Sequence, residues 1–280
     1  MIINILENFS FHTQWNAGIL LFSLLSIVFY LFLLPSSASD KTWKIVLSIV
    51  GFLLIFLTVG SPLNIIGRIM FSGHIIQMLL LLFVAAPLLV VGTKTAMIEL
   101  GCQNKFVKRM ITFMIHPTFS IPVFHLLFAG YHIPAVFDYV RVSYFLNYFY
   151  LLCLFVAALI LWFPILSPVK TLDLLPSRNK SKYAIVNGCL FVPLIILLLF
   201  SNEILYSIYI DPDLILSSLE VCLPSGESIE IIPEDLLELL LPFPPLREQQ
   251  VGGIILLVSQ SVLFGGIAIL FSKKLVKSKK

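Results

Sequence analysis

The stretch Phe71–Gly92, FSGHIIQMLLLLFVAAPLLVVG, decides the fold because it is as long as a membrane span yet begins with polar side chains. A helix of about 20 residues crosses the hydrocarbon core of a bilayer. Residues three and four apart share a helical face, so Met70, His74, Gln77 and Met78 form one stripe. Ionisable groups inside membrane helices usually face the bundle interior and mark functional sites. We therefore expect the rest of the chain to surround this end of the helix.

The composition is that of an integral membrane protein. Of the 280 residues, 59% are hydrophobic and 12% are charged, and the mean hydropathy is +1.02, whereas soluble domains are about 25% charged. The first residues carry no Lys or Arg, so we expect no cleaved signal peptide and a first helix that stays in the mature protein. The four cysteines form no C-x-x-C pair, which favours neither a zinc site nor a disulfide framework.

Apolar runs near the spanning length predict seven transmembrane helices in one domain, residues 1–280. The predicted ranges are 17–34, 43–60, 71–92, 111–130, 146–166, 183–206 and 251–271. The fourth contains Pro117 and Pro122, which membrane helices tolerate where neighbouring groups satisfy the freed carbonyls. The predicted fold class is therefore an all-α membrane bundle.

Lys and Arg predict the orientation of this bundle. Fifteen of the 18 fall in loops on one side, and only Arg68, Arg141 and Arg247 lie on the other. Because cytoplasmic loops are enriched in Lys and Arg, we expect the N-terminus outside and the C-terminus in the cytoplasm.

One long acidic loop, residues 207–250, is expected on the outer side. Within it, residues 233–242 read PEDLLELLLP, a pattern typical of a short helix with Pro at its first position, acids in the first turn and a proline stop. The many leucines predict that the loop lies against the bundle or the outer leaflet.

Histidines concentrate at the outer end. This topology places His12, His74, His125 and His132 there, and only His116 on the cytoplasmic side. Imidazole and thioether groups are suitable ligands for copper. A histidine near a helix end can instead serve only as a hydrogen-bonding group between helices, and a Met can simply fill a gap in the core.

Several motifs together resemble the CtaG family of bacterial seven-helix membrane proteins. They are His74-x-x-Gln77, Ala86-Pro87, His132-Ile-Pro134 with Asp138, Leu161-Trp-Phe-Pro164 and Gln249-Gln250-x-Gly252-Gly253. The resemblance runs from about residue 71 to residue 271. It implies a role in assembling caa-type cytochrome c oxidase, with a proposed copper-handling step. The chain resembles a divergent member, because Met78 stands where the family pattern has a second His.

The first functional hypothesis is a membrane assembly factor for a terminal cytochrome c oxidase that holds or delivers copper at the extracytoplasmic face. The predicted copper ligands are His74 and His132, with Met78 and His125 as further candidates. Gln77 and Gln249 are predicted to accept a hydrogen bond from a ligating ring. We expect oxidase subunits and membrane lipids as partners, no nucleic acid, and a multi-pass location in the bacterial plasma membrane.

Other classes stay open at the level of sequence. His74 and His125 could hold haem or a quinone, and a transporter would be favoured by inverted repeats, which are not evident. The chain has no Gly-x-Ser-x-Gly or His-Glu-x-x-His motif, so we expect no hydrolase and no enzyme. Protonation is expected to compete with a metal near pH 6.5, where a free imidazole titrates.

Overall fold

The computed structural model describes residues 6, 9–37, 41–222 and 243–277. These residues form helices and connecting segments, without a β-strand. Helices occupy each of the seven predicted positions. They are α1 (Ala17–Leu33), α2 (Thr42–Val59), α3 (Phe71–Gly92), α4 (Pro117–Tyr131), α5 (Tyr144–Leu166), α6 (Ser177–Phe200) and α7 (Pro245–Lys273). The prediction of an all-helical fold is confirmed.

Within the described residues, the helices long and apolar enough to span a membrane number five, or six if one bent pair forms a single span. The five are α2, α3, α5, α6 and α7. The bent pair consists of Lys105–Met114 and α4, and α1 is shorter than each of the five. The count of seven spans and the orientation of the termini stay predictions.

The predicted range 111–130 is wrong at its start, because a break divides it. Helix Lys105–Met114 and α4 meet at an angle of 57°. Pro117 restricts the residue before it to extended backbone, and His116 has φ −68° and ψ 137°. His116 caps α4, because its Nδ1 accepts a hydrogen bond from the Thr118 amide at 3.4 Å.

The ends of α6 and α7 also differ from the predicted ranges. Helix α6 runs from Ser177 to Phe200, so its start and its end each lie six residues earlier in the chain than predicted. Helix α7 begins at Pro245 instead of Val251. Apolar runs mark the part of a helix that lies in hydrocarbon, whereas polar residues can continue the helix beyond it. The end of α6 has a local cause, because the Ser201 hydroxyl accepts the Glu203 amide at 3.2 Å and turns the chain.

Helix α3 is the centre of the bundle. In its most apolar 18-residue window, 56% of the residues are buried, compared with 17% in α2. Two glycines allow neighbouring helices to approach it closely. A Cβ on Gly92 would lie 2.2 Å from the Ser48 hydroxyl, and one on Gly252 would lie 2.6 Å from the Phe71 ring.

A hydrogen bond from α5 repairs the backbone of α3. The segment Leu80–Ala85 is a π-helix, in which each amide bonds to the carbonyl five residues earlier. Pro87 has no N–H to give to Leu82. The buried indole of Trp162 donates to the Leu82 carbonyl instead, at 2.8 Å. The Leu-Trp-Phe-Pro motif of α5 therefore has a structural role at this point.

The first part of the long loop covers the end of the bundle at which α3 begins. Its helix Pro212–Glu220 packs Ile215 and Leu219 against Ile65 and Ile69 of the short helix Pro62–Ile69. This agrees with the expectation that the loop lies on the helix ends. The predicted helix over residues 233–242 lies outside the described residues.

Candidate functional site

His74 lies at the first turn of α3, fully buried in a cage of rings. Its ring centroid is 5.0 Å from that of Phe137, 5.6 Å from that of Tyr131 and 5.8 Å from that of His132. Phe137 belongs to the short helix Pro134–Arg141, which follows the His132-Ile-Pro134 turn. The end of α4 and this short helix therefore position the surroundings of His74.

Arg141 determines which nitrogen of His74 carries the proton. The Arg141 Nη1 lies 3.2 Å from His74 Nδ1, and a guanidinium can only donate. We therefore assign Nδ1 as the acceptor and Nε2 as the protonated nitrogen of a neutral ring. The buried Nε2 has no hydrogen-bond partner in the described part of the chain.

His132 has the opposite arrangement. Its Nδ1 lies 2.7 Å from the Phe128 carbonyl, which can only accept, so Nδ1 carries the proton and Nε2 presents a lone pair. This Nε2 is also buried, and no described residue bonds to it. Burial lowers the pKa of His132 to about 4, against the opposing effect of the Phe128 bond. The ring is therefore neutral and able to act as a ligand at ordinary pH.

Arg68, in the helix Pro62–Ile69, is the fourth member of a buried polar cluster with His74, His132 and Arg141. Its Nη1 donates to the Ser218 carbonyl at 2.6 Å and to the Arg141 carbonyl at 3.0 Å. Arg68 and Arg141 are 0% and 2% exposed. The Arg141 Nη2 donates to the Gly67 carbonyl at 2.6 Å, and the Tyr209 hydroxyl donates to the same carbonyl at 3.0 Å. The cluster thus ties the long loop to two short helices.

Comparison with protein families identifies the family of this chain. Residues 27–278 match the family described as cytochrome c oxidase caa3 assembly factor (Caa3_CtaG). The chain belongs to this family. Comparison with curated proteins and with solved structures gives no match.

The predicted copper ligands of this family member fall into two groups. His74 and His132 lie together, as the sequence predicts. Met78 is 2% exposed and belongs to the hydrophobic core. His125 bonds through Nε2 to the Asn187 side chain at 3.0 Å, and its ring lies 4.8 Å from that of Phe191. Met78 and His125 therefore have packing and hydrogen-bonding partners of their own.

The haem or quinone hypothesis needs His74 and His125 side by side. The ring neighbours of His74 are Phe71, Tyr131, His132 and Phe137. Those of His125 are Phe124 and Phe191. Among the residues described, the two histidines share no ring neighbour. The geometry favours the pair His74 and His132 instead.

Gln77 and Gln249 bond to the backbone and to other side chains. The Gln77 amide donates to the Thr58 carbonyl at 2.6 Å and to Asn64 Oδ1 at 3.1 Å. The Gln249 Oε1 accepts the Leu205 amide at 2.8 Å. Gln77 thereby joins α2 and α3, and Gln249 joins α7 to the segment that follows α6.

Metal binding by the histidine pair has one favourable and one unfavourable feature. Metal–imidazole bonds are about 2.0 Å long, so two rings on one ion have centroids about 6 Å apart, and the observed 5.8 Å fits. The guanidinium of Arg141 opposes a cation and occupies His74 Nδ1. Among the described residues, there is no group of three or more His, Cys, Asp or Glu side chains that could hold a metal ion. The ring spacing therefore fits a two-nitrogen site, whereas the Arg141 contact at His74 Nδ1 does not.

Arg68 and Arg141 are the functional residues that sequence reasoning missed. From the sequence, Arg68 and Arg141 counted only as exceptions to the charge asymmetry. They are two of the three basic residues on the predicted outer side, and both belong to this cluster. That rarity is the signal that could have found them. Their contacts with Ser218 and His74 depend on tertiary packing, which the sequence pattern does not show.

Proposed function

We propose that this chain is a non-catalytic assembly factor for a terminal cytochrome c oxidase, and that His74 and His132 hold cuprous copper as transient cargo. The assembly role is supported by the family match over residues 27–278. The copper step is supported by one observation: the buried Nε2 of His132 presents a lone pair without a described partner, and the His74 ring, whose Nδ1 carries the other lone pair, lies beside it. Buried polar atoms without partners are rare in folded proteins.

The charge of the surroundings fits a cargo better than a resident cofactor. Neutral imidazoles are suitable ligands for copper, but the neighbouring guanidinium of Arg141 weakens the binding of any cation. A carrier that hands over its ion benefits from limited affinity. The cuprous ion, with a single positive charge, meets less repulsion than a divalent ion at the same distance.

The place of the pair in the fold suits exchange with a partner. His132 lies in the turn after α4, outside the apolar part of the helix, and its backbone carbonyl accepts the Tyr206 hydroxyl at 3.0 Å. Tyr206 precedes the long loop that covers this end of the bundle. We propose that oxidase subunits dock at this end, in the bacterial plasma membrane, with lipids around the apolar helices.

Copper content of the purified chain tests the proposal. After loading with cuprous copper under reducing conditions, the wild type is expected to retain about one ion per chain. His132→Asn keeps an N–H for the Phe128 carbonyl and removes the ligand nitrogen, so it is expected to lose the copper. His116→Asn, at the exposed break before α4, is the matched control and retains it.

Equal copper in wild type and His132→Asn would exclude this site. An activity assay of the oxidase in cells separates the two parts of the proposal. If oxidase activity is normal in cells that lack the protein, the assembly role fails as well, whatever the copper result.

A further inference from the structure

Two buried guanidinium groups, those of Arg68 and Arg141, form no ion pair with a carboxylate in the part of the chain that the structure describes. Burial of an ion is strongly unfavourable unless it is paired and hydrogen-bonded. Among the described residues, the single ion pair is Lys180 with Asp173, which lies elsewhere in the fold. No carboxylate of a described residue therefore pairs with Arg68 or Arg141. The rings of Phe137 and Tyr209 face the Arg141 guanidinium at 5.3 and 6.0 Å, which compensates part of its charge.

The unsatisfied donors of Arg68 lie on one edge of its guanidinium. Backbone carbonyls occupy Nη1, whereas the buried Nε and Nη2 have no partner among the described residues. These two N–H groups point in parallel from one side of the planar group. That edge binds the two oxygens of a carboxylate or phosphate in a bidentate pair. The Arg141 Nε is a further buried donor without a described partner.

We propose that Arg68, with Arg141 beside it, forms a buried binding site for an oxyanion, which a carboxylate or a phosphate group can supply. The parallel N–H donors select the ligand by shape, because a spherical ion such as chloride cannot accept both bonds equally well. The positive charge of the pair favours an anion. The site does not rest on the copper proposal, since its donors are guanidinium nitrogens and not the histidine lone pair.

A cavity lies close to this site, although neither arginine lines it. Asn64 and Arg68 are four residues apart on one helix and share a face, and the Asn64 amide bonds to the Cys222 sulfur at 3.3 Å. Cys222 lines a cavity of about 620 Å³, together with Val142 and Tyr144. Val142 directly follows Arg141. The cavity therefore adjoins the two arginines through their nearest neighbours.

Thermal unfolding of the full-length chain in neutral detergent tests the site. The sodium salts of acetate, phosphate and chloride are compared at equal ionic strength. A ligand that binds only the folded state raises the Tm by mass action, by about 3 °C at a tenfold excess over its dissociation constant. We expect a saturable rise with acetate or phosphate and none with chloride. Equal Tm values in the three salts overturn the proposal without any variant.

Variants locate the effect. Arg68→Lys keeps the positive charge but loses the parallel donors, so the oxyanion-dependent rise should disappear. Arg178→Lys is the matched control at an exposed position and should respond as the wild type does. An undiminished rise in Arg68→Lys overturns the proposal. If that variant does not fold, Arg68→Gln, which removes the buried charge, takes its place with the same expected loss.

Nanodiscs identify the source of the oxyanion. The protein is placed in phosphatidylcholine discs with and without phosphatidylglycerol. A soluble anion raises the Tm in both, whereas a lipid phosphate raises it only where the anionic lipid is present. The absence of any Arg68-dependent rise in both disc types, as in detergent, contradicts the site.

Discussion

Buried cations at the two ends of α3 are treated in opposite ways. Beyond its C-terminal end, Lys94 is 2% exposed, and its Nζ donates to the carbonyls of Leu31 and Leu34 at 3.1 Å each. The same Nζ lies 5.2 Å from the centre of the Tyr30 ring. At the N-terminal end, Arg68 and Arg141 leave three guanidinium nitrogens without described partners.

The difference separates a stabilising contact from a functional one. Lys94 joins the end of α1 to the end of α3, because it satisfies carbonyls that the helix end leaves free. The arginines and histidines at the other end leave donors and an acceptor unsatisfied, which lowers stability. Buried polar atoms without partners call for an explanation such as a bound ligand, and this is the basis on which we propose that the function lies at the His74 end.

The largest expected effect is on the Lys94 end. Lys94→Met fills a similar volume and removes two charge-assisted hydrogen bonds, each worth about 1.5 to 3 kcal/mol. We expect the free energy of unfolding to fall by about 3 kcal/mol, measured by denaturant titration in detergent. Lys170→Met, at an exposed position, should change it by less than about 0.5 kcal/mol. A loss of similar size in both variants would remove the contrast between the two ends.

A smaller effect is expected from pH at the His74 end. The folded pKa of His132 is about 4 because of burial, and the unfolded value is about 6.5. As pH falls below 6.5, the unfolded chain therefore takes up the proton first. Stability present above pH 6.5 is lost toward pH 4, by about 2 kcal/mol at pH 5.

His132→Asn should remove this part of the pH dependence, and His116→Asn should keep it. Unfolding titrations at pH 7 and pH 5 measure the difference. Parallel losses in wild type and His132→Asn would mean that His132 does not titrate as its burial requires. If His132 binds copper as proposed, this pKa lowers the pH at which protons compete with the metal below the 6.5 expected from sequence.

Sequence patterns predicted the helices well because hydrophobic burial in a bilayer depends on runs of side chains. The runs placed α3 correctly, and the burial of His74 and Gln77 agrees with the expectation that the rest of the chain surrounds the start of this helix. They misplaced both ends of α6 and the start of α4. Polar residues extend α6 at its N-terminal end, the Ser201 turn ends it early, and the His116-Pro117 break sets the start of α4. Hydropathy has no information on any of these causes.

The candidate site could be predicted only in part. Spacing placed His74 and His132 at one end, and the turn His132-Ile-Pro134 brings them together. Met78 lies on the predicted stripe, yet it packs into the hydrophobic core. The stripe runs from Met70 to Met78 and is longer than the polar cluster around His74. The proton position on His74 depends on Arg141, which is 67 residues away in the chain. The proton position on His132 depends on how its ring is oriented toward the Phe128 carbonyl. Sequence patterns show neither.

The cuprous affinity of Arg141→Gln tests most directly the claim that the histidine pair is a cargo site restrained by Arg141. Affinity is measured by competition with a chromophoric cuprous chelator, for the wild type and the variant at pH 7. Removal of the positive charge beside His74, and of the donor on His74 Nδ1, is expected to tighten binding by about tenfold. Unchanged or weaker binding in Arg141→Gln would contradict the account.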